Sequence, residues 1–455
     1  MRSERTESGP AKPRHPRTLV LVTVLAAVSS AARVEAQTRS ESLPDLVASF
    51  WASPTVPERD RVAARILEAD PDVDRLLTLL REERRYDEEV PRGRILRKRV
   101  ASNGVVHPYL ILVPSDYTPA RKWPVRLELH GGMGAEAWDP DAGDWATGWE
   151  PVRDQIVVLP AGWFDSMWWE HSQVENLAAI LRELRATWNV DEDRVVAVGN
   201  SDGAAALFFL AMRTPDRFAG YAGFVGPPDR LARAELRPDG QMHLDNLADQ
   251  RFHLGYGERD RLVPIRHLRR YMELFEAHGA LLDWYELPGQ GHSLRLSDER
   301  LRAFVDFLLR TRRDPLPDRL SWSTERVDRY ARRSWIEVEA LSIPASEEPV
   351  DGEGLLPRWG TSIQLRGPTV PREPWGRLEV ERTENSVEVT TRGVERFRLL
   401  LSPEAFDLSR PVRVVVDGVE RHDALVQPSA AVLLHLAARD DDRARLFVAE
   451  LSFEI

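Results

Sequence analysis

The fold of this chain is decided at Val195-Val196-Ala197-Val198-Gly199-Asn200-Ser201-Asp202-Gly203. The apolar run at its start is typical of a buried strand, and the small and apolar residues that follow at 204–210 are typical of a buried helix. Glycines on both sides of Ser201 permit a tight strand–turn–helix that holds the serine hydroxyl out of the sheet edge, because no Cβ fits beside it. The stretch therefore predicts a serine at the apex of a strained turn.

Working outward from this turn, strands and helices alternate over residues 94–314. The predicted strands are 94–100, 108–113, 125–129, 156–159, 195–198, 221–225, 252–256 and 284–287. The predicted helices are 174–188, 204–212, 265–278 and 298–309. The first two strands form an antiparallel hairpin at Asn103-Gly104, and the remaining alternation predicts a mainly parallel sheet covered by helices on both faces.

The two flanks have different patterns. A short N-terminal segment, 37–93, has helical periodicity from residue 42 to about residue 85. A charged, proline-punctuated stretch at 312–317 is interpreted as a linker. Beyond it the apolar period changes from 3.6 to 2, which predicts a β-rich domain over 318–455 with hairpin-type turns and one helix at 430–438.

The first 36 residues are interpreted as a secretory signal peptide. A basic leader precedes an apolar run at 19–28, and small residues then lead to Val34-Glu35-Ala36, with Gln37 as the expected mature start. The apolar run is too short to span a bilayer, so no membrane span is expected after cleavage. The expected location is a bacterial periplasm or the exterior.

Composition excludes several classes of function. The net charge is −11 and the pI is near 5.6, so the basic surface of a nucleic-acid binder is absent and anionic membranes would repel the protein. The chain contains no cysteine, which excludes disulfides, thiol catalysis and cysteine-ligated metal. No histidine–carboxylate motif at metal-ligand spacing and no phosphate-binding glycine loop occurs, so neither a metal nor a cofactor is expected. Oligomeric state cannot be read from the sequence.

A serine hydroxyl at the turn needs a base to take its proton and an acid to orient that base. Asp260 follows the strand predicted at 252–256, and His292 follows the strand predicted at 284–287. Both therefore lie at carboxyl ends of strands, where ligands bind in open α/β sheets. Glu258 is the competing acid and His278 a less well placed competing base.

Four motifs in this order resemble the α/β-hydrolase superfamily over residues 94–312. They are Leu129-His130-Gly131-Gly132, the G-N-S-D-G turn at 199–203, the G-x-x-D-x-x-V-P stretch at 257–264 and the G-x-G-H at 289–292. The chain looks most like secreted esterases of the polyhydroxybutyrate-depolymerase and feruloyl-esterase type, and is also similar to catalytic domains of the prolyl oligopeptidase family. The resemblance implies an α/β-hydrolase fold, with Ser201 as nucleophile, Asp260 as acid and His292 as base.

The resemblance also implies an oxyanion hole. One donor would be the backbone N–H of Asp202, and the other would come from the loop after His130, at Gly132 or Met133. His130 itself is expected to be structural. The tryptophans that follow the fourth strand of this region, Trp163, Trp168 and Trp169, are candidate substrate contacts, with packing in the scaffold as the alternative.

The function expected from these residues is hydrolysis of small or polymer-linked carboxylic esters through an acyl-serine intermediate. Two alternatives remain open. One is a serine peptidase or amidase of the prolyl oligopeptidase type, although the N-terminal segment is too short to form the propeller of those enzymes. The other is a non-catalytic surface-binding or polysaccharide-binding protein on a hydrolase scaffold, whose β-rich tail would carry the binding.

Overall fold

The computed structural model describes residues 41–82, 84–134, 136–141, 144–342, 354–358 and 373–455. The predicted signal peptide at 1–36 and the expected mature start at Gln37 lie outside these ranges. Within them, no helix combines the length and the apolar character that a membrane crossing requires.

Where the structure describes it, from residue 41 on, the N-terminal segment folds into three amphipathic helices, as its periodicity predicts. They are α1 (Leu43–Ala52), α2 (Val56–Ala69) and α3 (Val73–Glu82). Thr55 begins α2 with a capping box, in which its hydroxyl accepts from the Glu58 N–H and its own N–H donates to the Glu58 carboxylate at 3.1 Å.

Residues 93–287 form one eight-stranded sheet. Its strands are β1 (Gly93–Val100), β2 (Val106–Val113), β3 (Trp123–Leu129), β4 (Ile156–Pro160), β5 (Val190–Asn200), β6 (Gly220–Phe224), β7 (Arg251–Gly257) and β8 (Leu281–Leu287). The spatial order is β1-β2-β4-β3-β5-β6-β7-β8. β2 is antiparallel to both β1 and β4, and every pairing from β4 to β8 is parallel.

Four helices connect the strands of this sheet or follow its last strand. They are α4 (His171–Thr187), α5 (Asp202–Arg213), α6 (Ile265–Ala277) and α7 (Asp298–Arg310). Every residue of α5 is buried, which explains why its sequence is apolar around its whole circumference. The parallel strands β3 to β8, the α-helices that connect β4 to β5, β5 to β6 and β7 to β8, and a serine turn directly after β5 make this the α/β-hydrolase fold that the sequence predicts.

The described residues of the C-terminal part form two smaller sheets and one α-helix, α8 (Ala430–Asp440). The strands are β9 (Arg319–Thr324), β10 (Arg332–Arg333), β11 (Ile336–Leu341), β12 (Gly376–Thr383), β13 (Ser386–Arg392), β14 (Val394–Leu401), β15 (Val412–Val416), β16 (Val419–Ala424) and β17 (Ala449–Glu454). Their orders are β10-β11-β14-β17 and β16-β15-β13-β12-β9. Inward apolar residues alternate with outward polar ones, as in Leu378 and Val380 of β12.

The three parts of the chain share their buried surfaces. Helices α1 to α3 pack against α8 and the neighbouring Leu446 and Val448 of the C-terminal part. The buried core of the eight-stranded sheet continues without interruption into the two smaller sheets. The C-terminal part therefore lies directly on the α/β-hydrolase domain and also carries the N-terminal helices.

Buried ion pairs join the same parts. Arg313, in the segment predicted as a linker, is paired with Asp193 at 2.8 Å and with Asp442 at 2.9 Å. Arg443 donates to Glu192 at 2.6 Å, and all these groups are largely inaccessible to water. Burial raises the pKa of Asp442, but the charges of Arg313 and its neighbours outweigh it and hold that pKa far below its ordinary value. The predicted linker is thus a fixed part of the contact between the two parts.

Candidate active site

The turn after β5 holds Ser201 in a strained backbone conformation. Its φ is 52° and its ψ is −115°, which costs a non-glycine residue about 1–3 kcal/mol. The neighbouring glycines are required by space, because a Cβ on Gly203 would lie 1.9 Å from the carbonyl oxygen of Leu129 and one on Gly199 would lie 2.3 Å from that of Gly203. The Ser201 N–H donates to the Phe224 carbonyl at 2.9 Å, which ties the turn to β6.

The structure brings Ser201, His292 and Asp260 together in one chain of hydrogen bonds. The Ser201 hydroxyl lies 2.9 Å from Nε2 of His292, and Nδ1 of the same ring lies 2.7 Å from Oδ2 of Asp260. An ionised carboxylate can only accept, so Nδ1 carries the proton and Nε2 is free to accept from the serine hydroxyl. This is the geometry in which a histidine can act as a general base on a serine.

Local hydrogen bonds keep Asp260 ionised and in place. Burial raises the pKa of its carboxyl, but hydrogen bonds from His292 and from the backbone N–H groups of Val263 and Leu262 outweigh burial and hold the pKa below its ordinary value. Those two N–H groups donate to Oδ1 at 3.0 and 2.8 Å. The carboxylate is 4% exposed, so its charge is directed at the imidazole in a poorly solvated site.

The competing acid Glu258 and the competing base His278 lie elsewhere. Glu258 accepts from the Gly289 N–H at 2.7 Å, and so ties the loop after β7 to the loop after β8. His278 is paired with Asp245 at 2.9 Å at the end of α6. Asp260 and His292 are therefore the acid and base that the geometry supports.

His130 is a structural residue, as predicted. Its Nε2 accepts from the Gly162 N–H at 2.9 Å, so Nδ1 carries the proton and donates to the Gly131 carbonyl at 2.8 Å. Burial lowers the pKa of this histidine, which keeps the ring neutral. The ring thereby joins the loop after β3 to the loop after β4.

The side chain of Asp202 holds the loop that is predicted to supply an oxyanion donor, a role that its position in the sequence does not indicate. Its Oδ2 accepts from the Met133 N–H at 3.0 Å, and its Oδ1 lies 2.8 Å from Nε of Arg230. The Met133 N–H is thus committed to a carboxylate, so the proposal of Met133 as an oxyanion donor is wrong for this structure. Gly132, in the left-handed region at φ 76°, remains the loop candidate beside the Asp202 N–H in the first turn of α5.

The three tryptophans proposed as substrate contacts pack in the scaffold instead. Trp168 and Trp169 have no exposed surface and Trp163 is 6% exposed. Trp168 donates its indole N–H to the His130 carbonyl at 3.0 Å, which braces the same loop. The exposed ring is that of Phe164, at 53%, at the tip of the tight turn that pairs Trp163 with Ser166. The sequence does not show which of these aromatic rings are exposed, so it could not distinguish Phe164 from the three buried tryptophans.

No cluster of three or more metal-ligating side chains occurs among the described residues. His253 is paired with the single carboxylate of Asp283, and His130 is held by backbone groups. The site therefore brings together a serine hydroxyl, an imidazole and a carboxylate, with backbone N–H groups beside them. That set can attack an acyl carbonyl and stabilise the charge that develops on its oxygen.

Comparisons with known proteins find similarity to parts of this chain. No family model matches the chain. A curated relative from Nocardia uniformis subsp. tsuyamanensis, named "Putative esterase NocK", is 34% identical over 97 residues, which is 20% of this chain and 24% of the relative. Thermogutta terrifontis esterase 2 is 17% identical with a TM-score of 0.37, over 50% of this chain and 96% of that one. A "putative dipeptidyl aminopeptidase IV" from Bacteroides ovatus is 17% identical with a TM-score of 0.38, over 48% of this chain and 35% of that one.

Proposed function

We propose that this protein is a serine hydrolase that cleaves carboxylic esters through an acyl-enzyme intermediate. The observation that carries the proposal is the unbroken hydrogen-bond chain from the Ser201 hydroxyl through His292 to Asp260. A strained turn presents the hydroxyl and a buried, ionised carboxylate orients the ring. Such an arrangement serves acyl transfer, and the fold does not require it for stability.

In the acylation step, Nε2 of His292 takes the Ser201 proton while Oγ attacks the ester carbonyl. The carbonyl π electrons move to oxygen, which the N–H groups of Asp202 and Gly132 stabilise. The tetrahedral intermediate collapses with cleavage of the bond to the alcohol, and His292 gives the proton to the departing oxygen. Asp260 stays ionised throughout and stabilises the imidazolium.

Deacylation repeats these steps with water. Nε2 of His292 takes a proton from a water molecule whose oxygen attacks the acyl carbon, and the ester bond to Ser201 breaks. The proton returns to Oγ, and the carboxylic acid leaves. The His292 side chain is 28% exposed, so water can reach the ring directly.

Esters are the proposed substrate class for two reasons. The curated relative of a 97-residue part of this chain is named as an esterase. The partly exposed His292 and the exposed Phe164 also favour a site open to esters attached to a larger molecule, with the acyl or aromatic portion against the phenyl ring. Small and polymer-linked esters are both compatible with such a site.

The proposal is tested with a fluorophosphonate probe and two chromogenic substrates. We expect covalent labelling of the full chain that is abolished in Ser201→Ala and strongly slowed in His292→Gln. Hydrolysis of p-nitrophenyl acetate without hydrolysis of peptide p-nitroanilides is expected, whereas the opposite preference would favour a peptidase. Labelling that survives Ser201→Ala would overturn the proposed nucleophile.

We further propose that the protein is exported by the N-terminal segment and matures at Gln37. The support is the order of basic, apolar and small residues in 1–36. Expression in a bacterial host followed by N-terminal sequencing of the extracytoplasmic fraction tests it. A cytoplasmic product that retains Met1 would contradict the proposal.

A further inference from the structure

A second cleft of about 310 Å³ lies between the α/β-hydrolase domain and the C-terminal part. It is bordered by α4, the turn at 215–217, the loop at 327–332 and the segment at 439–445. Ser201, Asp260 and His292 do not line it. Helix α5 begins beside Ser201 and ends at the cleft with Arg213, so its twelve residues put about 18 Å between the two sites.

Positive charge exceeds negative charge in this cleft. Eight arginines and five carboxylates line it. Each of these carboxylates is already paired, at 2.8 to 3.2 Å, with an arginine other than Arg182, Arg185 and Arg217. The five are Asp216, Asp328, Glu337, Asp440 and Asp441. The remaining three arginines, which we call the arginine trio, also line the cleft and form no ion pair with these five carboxylates.

The arginine trio has unused donors. Arg182 and Arg185 lie three residues apart on α4 and so project from the same face of the helix. Among the described residues, no side-chain carboxylate forms an ion pair with Arg182 or Arg217. Arg185 is only 7% exposed, yet its Nε has no hydrogen-bond partner there and its Nη1 makes one long bond, 3.3 Å, to the Asp441 carbonyl.

The trio also repels itself. Burial, with the charges of Arg185 and Arg182, lowers the pKa of Arg217 to about 10. Of the three, Arg185 is buried, Arg217 is half-buried and Arg182 is exposed at the rim of the cleft. A buried guanidinium with unpaired donors costs several kcal/mol of solvation, so such groups are rare in folded proteins, and this cost applies to Arg185. Bound anionic oxygens would remove both the repulsion and the unmet donors, since the planar guanidinium matches carboxylate and phosphate oxygens with two parallel hydrogen bonds.

We propose that the arginine trio and the surrounding cleft bind a compact polyanion that carries at least two phosphate or carboxylate groups. The cleft volume is at the small end of ligand sites, which limits the ligand to the size of a diphosphate or a tricarboxylate. The ligand contacts the α/β-hydrolase domain through α4 and the turn at 215–217, and the C-terminal part across the cleft. Its binding therefore joins the two parts.

The experiment is isothermal titration calorimetry of the full chain with pyrophosphate and, separately, with citrate, at constant ionic strength. We expect one site per chain for at least one of the two anions. Arg182→Gln and Arg217→Gln should each weaken binding about tenfold, because each removes charge-assisted hydrogen bonds. Arg302→Gln is the matched control, since Arg302 is an exposed arginine on α7, away from the cleft.

Folding of the variants is checked by thermal unfolding without ligand. Arg217→Gln should melt at the same temperature as the parent or higher, because the substitution relieves repulsion. Pyrophosphate binding alone supports a phosphorylated ligand, and citrate binding alone supports a polycarboxylate. Failure of both anions to bind, or binding that neither trio variant weakens more than Arg302→Gln does, would overturn the proposal. Since binding is measured directly, the result does not depend on the proposed esterase activity.

Discussion

Asp202 should determine how well the loop after β3 is positioned for catalysis. Its carboxylate accepts from the Met133 N–H at 3.0 Å and is neutralised by Arg230 at 2.8 Å, directly beside the nucleophile. Gly132, the loop residue proposed to donate to the oxyanion, precedes Met133. Asp202→Ala frees the Met133 N–H and releases the loop from the first turn of α5. The change therefore acts on the transition state, in which the oxyanion donor must already be in position.

The hydrogen bond sets the size of the effect. A hydrogen bond to a charged acceptor contributes about 1.5–3 kcal/mol, and a loss of about 2 kcal/mol expressed at the transition state lowers kcat about 30-fold. Asp202→Asn keeps an oxygen that can accept from Met133 and loses only the charge, so about 1 kcal/mol and a fivefold decrease are expected. The Arg230 side chain is 35% exposed, so water can solvate the guanidinium when Asp202 is replaced. The loss of this ion pair is therefore expected to add little to the effect of either substitution.

The assay is steady-state hydrolysis of p-nitrophenyl acetate by the parent and by both variants. KM should change by less than about twofold, because the loop acts on the transition state more than on the bound ester. Asp165→Ala is the control, since Asp165 is a largely exposed carboxylate in the neighbouring loop after β4. The reasoning would be refuted if Asp202→Ala lowered kcat no more than the control, or if the whole effect appeared in KM.

Three further predictions concern single positions. Phe164→Ala should raise KM for p-nitrophenyl butyrate about fivefold with kcat unchanged, because the exposed ring loses an apolar contact of about 1 kcal/mol; an unchanged KM would remove Phe164 from the binding site. Burial lowers the pKa of His107 from 6.5 to about 4. Between these two pH values the imidazole is protonated in the unfolded chain and neutral in the folded chain, so up to about 3 kcal/mol of stability is lost as the pH falls from 6.5 to 4. His107→Leu should abolish that part of the acid sensitivity in urea titrations at pH 7 and pH 5, and an unchanged pH dependence would contradict it. Asp442→Ala should cost about 3–5 kcal/mol in the same titrations, because it leaves the buried Arg313 without that partner; a cost below 1 kcal/mol would show that the network is dispensable.

The sequence predicted most of what depends on local pattern. The turn at Ser201 could be inferred because the apolar strand, the flanking glycines and the buried helix are contiguous in the chain. Asp260 and His292 could be placed with it because the carboxyl ends of parallel strands meet at one edge of a sheet. The sequence also distinguished the α/β-hydrolase pattern from the β-rich pattern that follows, since their apolar periods differ.

Tertiary structure alone decided which groups touch. The sequence allowed Met133 as an oxyanion donor, but in the structure its N–H donates to the carboxylate of Asp202, 69 positions away. The sequence likewise allowed Trp168 as a substrate contact, but in the structure its ring is buried against His130. The burial of a ring, the partner of an amide and the arginines left unpaired in a cleft depend on distances between segments that are remote in the chain. Local propensity carries no information about those distances, because they follow from the packing of whole elements against one another.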